Sequence, residues 1–247
     1  MSLRAALFGA LALFAATTAH AVECRPVEHD GKRYTVCTVD TGAQDLRLFL
    51  TAPDGTPYSH FNALDRALAG QGLRLAFAMN AGMYHSDRSP VGHYVEDGQE
   101  QMRVVTAAGP GNFGLLPNGV FCIAQGRADV IETEDFVARS PACRHATQSG
   151  PMLVIDGALH PRFLPDSTSR YVRNGVGTSA DGRTAHFVMS DAAVTFHEFG
   201  RLFRDGLGTP NALYFDGNIS RLHAPGMNRS DPGFRMGPIV GVVEPTG

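Results

Sequence analysis

The chain has 247 residues, 21 Lys and Arg against 24 Asp and Glu for a formal net charge of −3, and a hydrophobic fraction of 43%. No basic stripe runs along it, so nucleic acid is not an expected partner, and beyond the N-terminus no apolar run is long enough to span a bilayer. With no Trp, the chain lacks the best platform for stacking long polysaccharides, which leaves a small glycan or glycoconjugate as the easier carbohydrate ligand.

The N-terminus sets the compartment. Arg4 is followed by the apolar run Ala5 to Ala16, and Ala19-His20-Ala21 has the small-x-small form of a leader cleavage site. We expect a signal peptide over residues 1–21 and one domain over residues 22–247. Such a chain is exported, periplasmic or secreted, in bacterial style, with no membrane span in its mature form. An oxidising space permits disulfides. Between Cys24 and Cys37, Asp30-Gly31 is a two-residue hairpin turn; every facing pair then sums to 61, and Cys24 falls opposite Cys37 at a non-hydrogen-bonded position where Cα atoms come close. Cys122 and Cys143 remain as the second pair.

Strand signals follow in order. Leu46, Leu48 and Leu50 alternate with Arg47 and Phe49. Ser59 is expected to cap a helix with Phe61, Leu64 and Leu68 on one face and Gly70 at its end. Leu73 to Met79 alternates into a strand, and the polar Asn80 follows its last apolar residue. The loop from Asn80 to Gly92 carries Tyr84, His85, Asp87 and Arg88; His85 and Asp87 read as solvated loop residues. Val91 to Val95, Met102 to Val105, Gly119 to Ile123 and Ala128 to Ile131 read as strands, the last two joined at Gln125-Gly126. Ser149-Gly150-Pro151 leads into Met152 to Ile155. No G-x-S-x-G elbow surrounds Ser149, so it reads as a hydrogen-bonding residue and not a nucleophile.

Arg173 to Asp191 is a second hairpin, turned at Asp181-Gly182, with Arg173 facing Ser190. Thr195 and Glu198 form a capping box with Val194 and Phe199 as its staple, which assigns Glu198 to capping. Phe196, Phe199 and Phe203 form that helix's buried face, and Gly206 or Gly208 stops it. Ala212 to Phe215 is a buried strand that ends on Asp216-Gly217, a carboxylate at the tip of a rigid element. The whole reads as an α+β fold, one domain of mixed, mainly antiparallel sheets with a few packing helices.

From about Arg47 to Val243 the chain resembles the phosphodiester glycosidase (NAGPA-like) domain family. The resemblance rests on Asn80 with Gly82 and Tyr84, Pro90 with Gly92, Ser149-Gly150-Pro151, Arg173 with Gly177, Thr195 with Glu198, and Asp216-Gly217 with Ser220. Asn218 stands where the family has a further glycine, which marks a subgroup. The resemblance implies hydrolysis of a sugar-1-phosphodiester at the C1–O bond, giving free sugar and a phosphomonoester. On that reading the substrate is a small glycoconjugate or sugar phosphate. Asp216 acts on the oxocarbenium-like centre with Asp191 in reserve, and Arg173 grips phosphate as a bidentate cation. Asn80, Gly82, Ser149, Gly150, Gly217, Asn218 and Ser220 line the substrate site. No cofactor is called for. Two alternatives stand beside this one. A non-catalytic glycan- or phosphate-binding module would keep Arg173 and Asn80. A metal-dependent phosphodiesterase would use Asp216, Asn218 and His197 or His223 with a divalent ion, although no H-x-H or H-x-x-x-H spacing supports it.

Overall fold

The computed structural model describes residues 21–246. The expected leader, apart from Ala21, lies outside them. In chain order the strands are β1 (Glu23–His29), β2 (Lys32–Asp40), β3 (Asp45–Phe49), β4 (Leu73–Asn80), β5 (Tyr94–Glu96), β6 (Gln99–Met102), β7 (Gly119–Ala124), β8 (Arg127–Glu132), β9 (His145–Ser149), β10 (Met152–Ile155), β11 (Ala158–Leu159), β12 (Asn174–Thr178), β13 (Thr184–Ser190), β14 (Asn211–Asp216), β15 (Leu222–Ala224), β16 (Arg229–Ser230) and β17 (Ile239–Pro245). The helices are α1 (Phe61–Ala69), α2 (Thr133–Arg139) and α3 (Phe196–Arg201). The strands form three sheets, ordered β1-β2-β13-β12-β14-β10-β11, β16-β15-β4-β17-β3 and β6-β5-β9-β7-β8. Their ladders are antiparallel, so the mainly antiparallel α+β class read from the sequence is the class observed.

Both hairpins take the register their Asp-Gly turns dictate. Asp30 and Gly31 adopt φ of 51° and 67°, the left-handed geometry that matches strand twist. Cys24 then pairs with Cys37 at a Cα separation of 4.0 Å, and the disulfide forms. The second disulfide joins Cys122 of β7 to Cys143. In the other hairpin Asn174 faces Met189 and Thr178 faces Ala185, with Ser190 N donating to the Arg173 carbonyl at 2.9 Å.

The main core lies between the three sheets. Phe121 of β7 meets Phe187 of β13 and Phe215 of β14 edge-on, at 5.7 and 6.3 Å. Leu48, Phe77 and Met79 close it from the second sheet. α3 covers the outer face of the first sheet with Phe199 over Tyr34 and Phe203. Its capping box is formed, Thr195 Oγ1 accepting from Glu198 N and Glu198 Oε2 from Thr195 N. After Arg201 the helix widens into a π-turn over Leu202–Gly206, and Gly208 at φ 66° carries the chain away.

Expectations at Ser59 and across residues 91–105 need correction, and α2 and the burial of Phe49 lie outside the sequence reading. Ser59 does not cap α1: it sits at φ 59° and its hydroxyl turns to the Pro57 carbonyl, so His60 holds the N-cap position. The strands expected at Val91 to Val95 and Met102 to Val105 are displaced to Tyr94–Glu96 and Gln99–Met102, because Asp97-Gly98 is another left-handed two-residue turn and its chemistry outranks the apolar pattern. α2 carries no apolar stripe to announce it; Glu132 caps it by accepting from Glu134 N and Asp135 N. Phe49 is buried although Leu48 faces the main core, because α1 roofs the other side of β3.

Candidate active site

Three strand ends converge where the first and second sheets meet. β4 ends at Asn80, β12 begins at Asn174 and β14 ends at Asp216, with Asn174 opposite Asp216 in the ladder. Strands of different sheets cannot share a ladder, so side chains must satisfy the backbone at such a seam. Asn80 Nδ2 donates to Asn174 Oδ1 (3.1 Å), Asn174 Nδ2 donates to the Asn80 carbonyl (2.9 Å), and Asn80 Oδ1 accepts from Arg221 N (2.9 Å). Ser220 Oγ lies 2.9 Å from the Val172 carbonyl, 3.2 Å from that of Asp216 and 3.3 Å from Asn174 Oδ1. Both asparagines are fully buried. Asn80 is therefore engaged by the protein itself, and its partner Asn174 carried no sequence signal beyond its place beside Arg173.

Asp216 emerges from this clasp onto a cleft of about 520 Å³. Its lining mixes polar Tyr84, Asn112, Asp216 and Asn218 with apolar Met83, Val91, Phe113 and Ile219. Among the described residues Asp216 is the only acidic one lining it. Its Oδ1 accepts from Gly217 N (2.6 Å) and Asn218 N (2.9 Å), which fixes the carboxyl plane over the turn. Burial raises its pKa above the ordinary aspartate value, against the backbone N–H groups of Asn218, Gly217 and Ile219 that favour the anion. Burial also raises Tyr84, and the charge of Asp216 adds to that effect. Tyr84 is anchored by its hydroxyl on the Arg235 carbonyl at 2.9 Å.

The loop bearing Asn112 and Phe113 is held by two residues that the sequence did not single out. Gln148 Oε1 accepts from His93 N and Val105 N, while its Nε2 donates to the Val105 carbonyl at 2.7 Å. Asn118 Nδ2 donates to the Phe113 carbonyl at 3.0 Å. Ser149 and Gly150 are buried beneath this loop: Ser149 Oγ donates to the Phe215 carbonyl, and a Cβ on Gly150 would stand 2.6 Å from that of Asn118. Gly82 needs to be glycine at φ 140°.

Arg173 is 1% exposed and does not line the cleft. Its guanidinium lies 3.7 Å from the Phe196 ring centroid, flanked by Tyr171 and Tyr214. Nε donates to the Val194 carbonyl and Nη2 to that of Ser169, while Nη1 has no partner of good geometry. Asp191 also stands outside the cleft lining: its Oδ1 accepts from Thr35 Oγ1 at 2.9 Å and lies 3.4 Å from Arg229 Nη1. Glu198, besides capping α3, takes both terminal nitrogens of Arg170. His223 Nδ1 meets Ser230 Oγ and its ring packs on Phe61. Among the described residues no three His, Cys, Asp or Glu side chains gather in a metal-ligating cluster.

The fold thus opens a cleft beside strand ends, lined by one carboxylate among polar and apolar side chains. Residues 74–232 match the model of the phosphodiester glycosidase family. The chain is 33% identical over 189 residues to uncharacterized protein YigE of Escherichia coli (strain K12), which covers 76% of this chain and 73% of that protein. The chain belongs to the phosphodiester glycosidase family. Among solved structures its fold is similar to the catalytic domain of zebrafish N-acetylglucosamine-1-phosphodiester alpha-N-acetylglucosaminidase auto-inhibited by its pro-peptide, at a TM-score of 0.59 and 11% identity over 93% of this chain and 85% of that one. A hypothetical protein from Synechocystis gives a TM-score of 0.56 and 14% identity, over 89% of this chain and 61% of that one. At those identities the likeness is one of fold.

Proposed function

We propose that this protein is an exported glycosidase that hydrolyses a sugar-1-phosphodiester at the glycosidic C1–O bond in the cleft beside Asp216. The observation that carries the reading is the lone carboxylate, fixed by its own turn, in a cleft it shares with Phe113 and Met83 in a chain of this family. The apolar lining residues suit the carbon face of a sugar ring, and the polar ones suit its hydroxyls and the phosphate. As the C1–O bond lengthens, positive charge grows at C1 and the carboxylate stabilises it. The electron pair leaves with the phosphomonoester, a good leaving group that needs no strong general acid, which accords with a single acidic side chain. Water then adds at C1 and its proton passes to Asp216 or to solvent. The two disulfides support export to an oxidising compartment, and among the described residues no helix is long and apolar enough to cross a membrane.

Asp216→Asn tests the reading. Its amide oxygen can still accept from Gly217 N and Asn218 N, so the turn keeps its shape. We expect kcat on a sugar phosphodiester to fall by roughly 10²–10³, with substrate affinity by calorimetry close to that of the parent. The product must be free sugar. An Asn variant that turns over like the parent, or a parent that releases sugar phosphate, overturns it; parent binding without turnover returns the binding-module alternative.

A further inference from the structure

A phosphodiester brings an anion into the cleft, and Arg173 does not line it. A second arginine stands beside it. Arg88 lies on the loop between β4 and β5, and its guanidinium carbon is 5.2 Å from the ring centroid of Tyr84, within cation–π range. Arg88 is not itself part of the cleft lining, but Tyr84 is, together with Asp216. The Arg88 side chain is half-buried, its Nε is buried with no hydrogen-bond partner, and among the described residues no carboxylate pairs with the guanidinium. The adjacent Asp87 is engaged elsewhere, its Oδ1 accepting from Ser89 N at 3.0 Å and Ser89 Oγ at 2.7 Å. Arg221, the other cation whose charge bears on the Tyr84 hydroxyl, commits Nε, Nη1 and Nη2 to the carbonyls of Asp231 and Phe234.

The loop also holds Arg88 in an unfavourable conformation. Tyr84 and Pro90 bridge across it, His85 N donates to the Ser89 carbonyl at 2.8 Å, and Arg88 N donates to the His85 carbonyl at 2.9 Å. Arg88 is thereby set at φ 79°, in the left-handed region where glycine is at ease and a long side chain is not. Strained non-glycine positions of this kind gather at ligand sites. The one side-chain contact of the guanidinium is the face of Tyr84.

We infer that Arg88 binds the phosphate of the substrate: stacked on Tyr84, it offers its free guanidinium N–H groups to the non-bridging oxygens at the mouth of the cleft, while the sugar lies beside Asp216. The planar guanidinium can take two phosphate oxygens at once. It is already partly desolvated and has no carboxylate to give up when the anion arrives. Contact with the Tyr84 ring limits the directions in which it can point. The phosphate carries one negative charge in the diester and gains a second as the C1–O bond breaks, so the contact strengthens along the reaction. This inference rests on the cleft beside Asp216 being the substrate site.

Two variants test it. Arg88→Gly removes the cation and suits the left-handed backbone, so the loop should keep its shape and the protein should melt at or above the parent's temperature. Arg88→Lys keeps the charge and loses the fork. For a sugar phosphodiester we expect kcat/KM to fall roughly ten- to hundredfold in Arg88→Gly, as for loss of a hydrogen bond to a charged group, and by less in Arg88→Lys. Turnover of a neutral aryl glycoside, where the parent accepts one, should be unchanged. An Arg88→Gly protein with the parent's kcat/KM overturns the inference. So does one that melts lower and loses both substrates alike, which would make Arg88 a structural residue of the loop. Calorimetry with inorganic phosphate decides the point separately from turnover. If the parent cleaves no sugar phosphodiester, the glycosidase reading fails, while phosphate binding that is weakened in Arg88→Gly and partly kept in Arg88→Lys still supports the role of Arg88. A parent that binds no phosphate, or an Arg88→Gly protein that binds it equally well, refutes that role too.

Discussion

Replacing Asn174 by Ala removes one half of the clasp between the first and second sheets, and the cost can be worked out bond by bond. The change strands the Asn80 carbonyl and Asn80 Nδ2, both in a seam where the two side chains are fully buried. An unmet buried polar group costs about 1–3 kcal/mol, so Asn174→Ala should lose roughly 2–5 kcal/mol. Asn80→Ala strands Arg221 N and leaves Asn174 Oδ1 to Ser220 Oγ alone, a smaller loss. The double variant deletes Asn80 Nδ2 together with its acceptor, so only the residue-80 carbonyl and Arg221 N stay unmet. Its loss should fall short of the sum by about 1–3 kcal/mol. In a domain of this size Asn174→Ala should melt roughly 5–15 °C lower. Urea unfolding of the parent, the singles and the double gives the cycle directly. Strict additivity, or an Asn174→Ala protein with the parent's midpoint, would show that the clasp carries no coupling. If Asn80 instead touches substrate, Asn80→Ala will raise KM and leave the melting temperature alone; the clasp requires the opposite pattern.

Two further outcomes follow from single contacts. Gly217→Ala puts a Cβ 2.2 Å from Tyr214 Oη but 3.4 Å from Cζ; we expect destabilisation of about 1–3 kcal/mol and, with the Asp216 turn displaced, about a 10²-fold loss of activity. Tyr214→Phe in the same chain should restore the lost stability, and a double variant no more stable than Gly217→Ala would refute the steric account. Glu96 accepts from the Tyr94 hydroxyl, and burial raises its pKa from 4.5 to about 7. The folded state thus holds a proton that the unfolded state releases, so stability falls as pH rises from 4.5 through 7, by at most about 3 kcal/mol. Glu96→Gln should flatten that fall and melt above the parent at pH 8, as read by calorimetry across pH; parallel curves for the two proteins would reject the assignment.

The parts of the fold legible in the sequence are those decided within a few residues. Asp30-Gly31 and Asp181-Gly182 fix two registers outright, and with the first comes the Cys24–Cys37 bond. The capping box at Thr195 is equally local. What stayed out of reach depends on a strand from elsewhere. Gln148 and Asn118 read as ordinary polar residues, yet they pin the cleft loop through Val105 and Phe113. Asn174 acquires its meaning only from Asn80, 94 positions away. Asp216 was legible because a carboxylate at the tip of an apolar strand is a local pattern; the cleft it faces is made by loops around Tyr84 and Asn112, which no periodicity brings together.

Arg173 illustrates the limit most sharply, because it turns on one residue of register. Side chains along a strand alternate between faces. Asn174 points to the seam and meets Asn80, so Arg173, one position earlier, points to the other side of the sheet and stacks on Phe196 of α3. The same alternation separates Phe215 in the main core from Tyr214 in the cluster under α3. A reading by charge and spacing selects Arg173 for an anion but cannot assign its face. Once on the α3 side, the guanidinium is desolvated without a carboxylate, at a cost of several kcal/mol that carbonyls of Val194 and Ser169 and the Phe196 ring offset only in part.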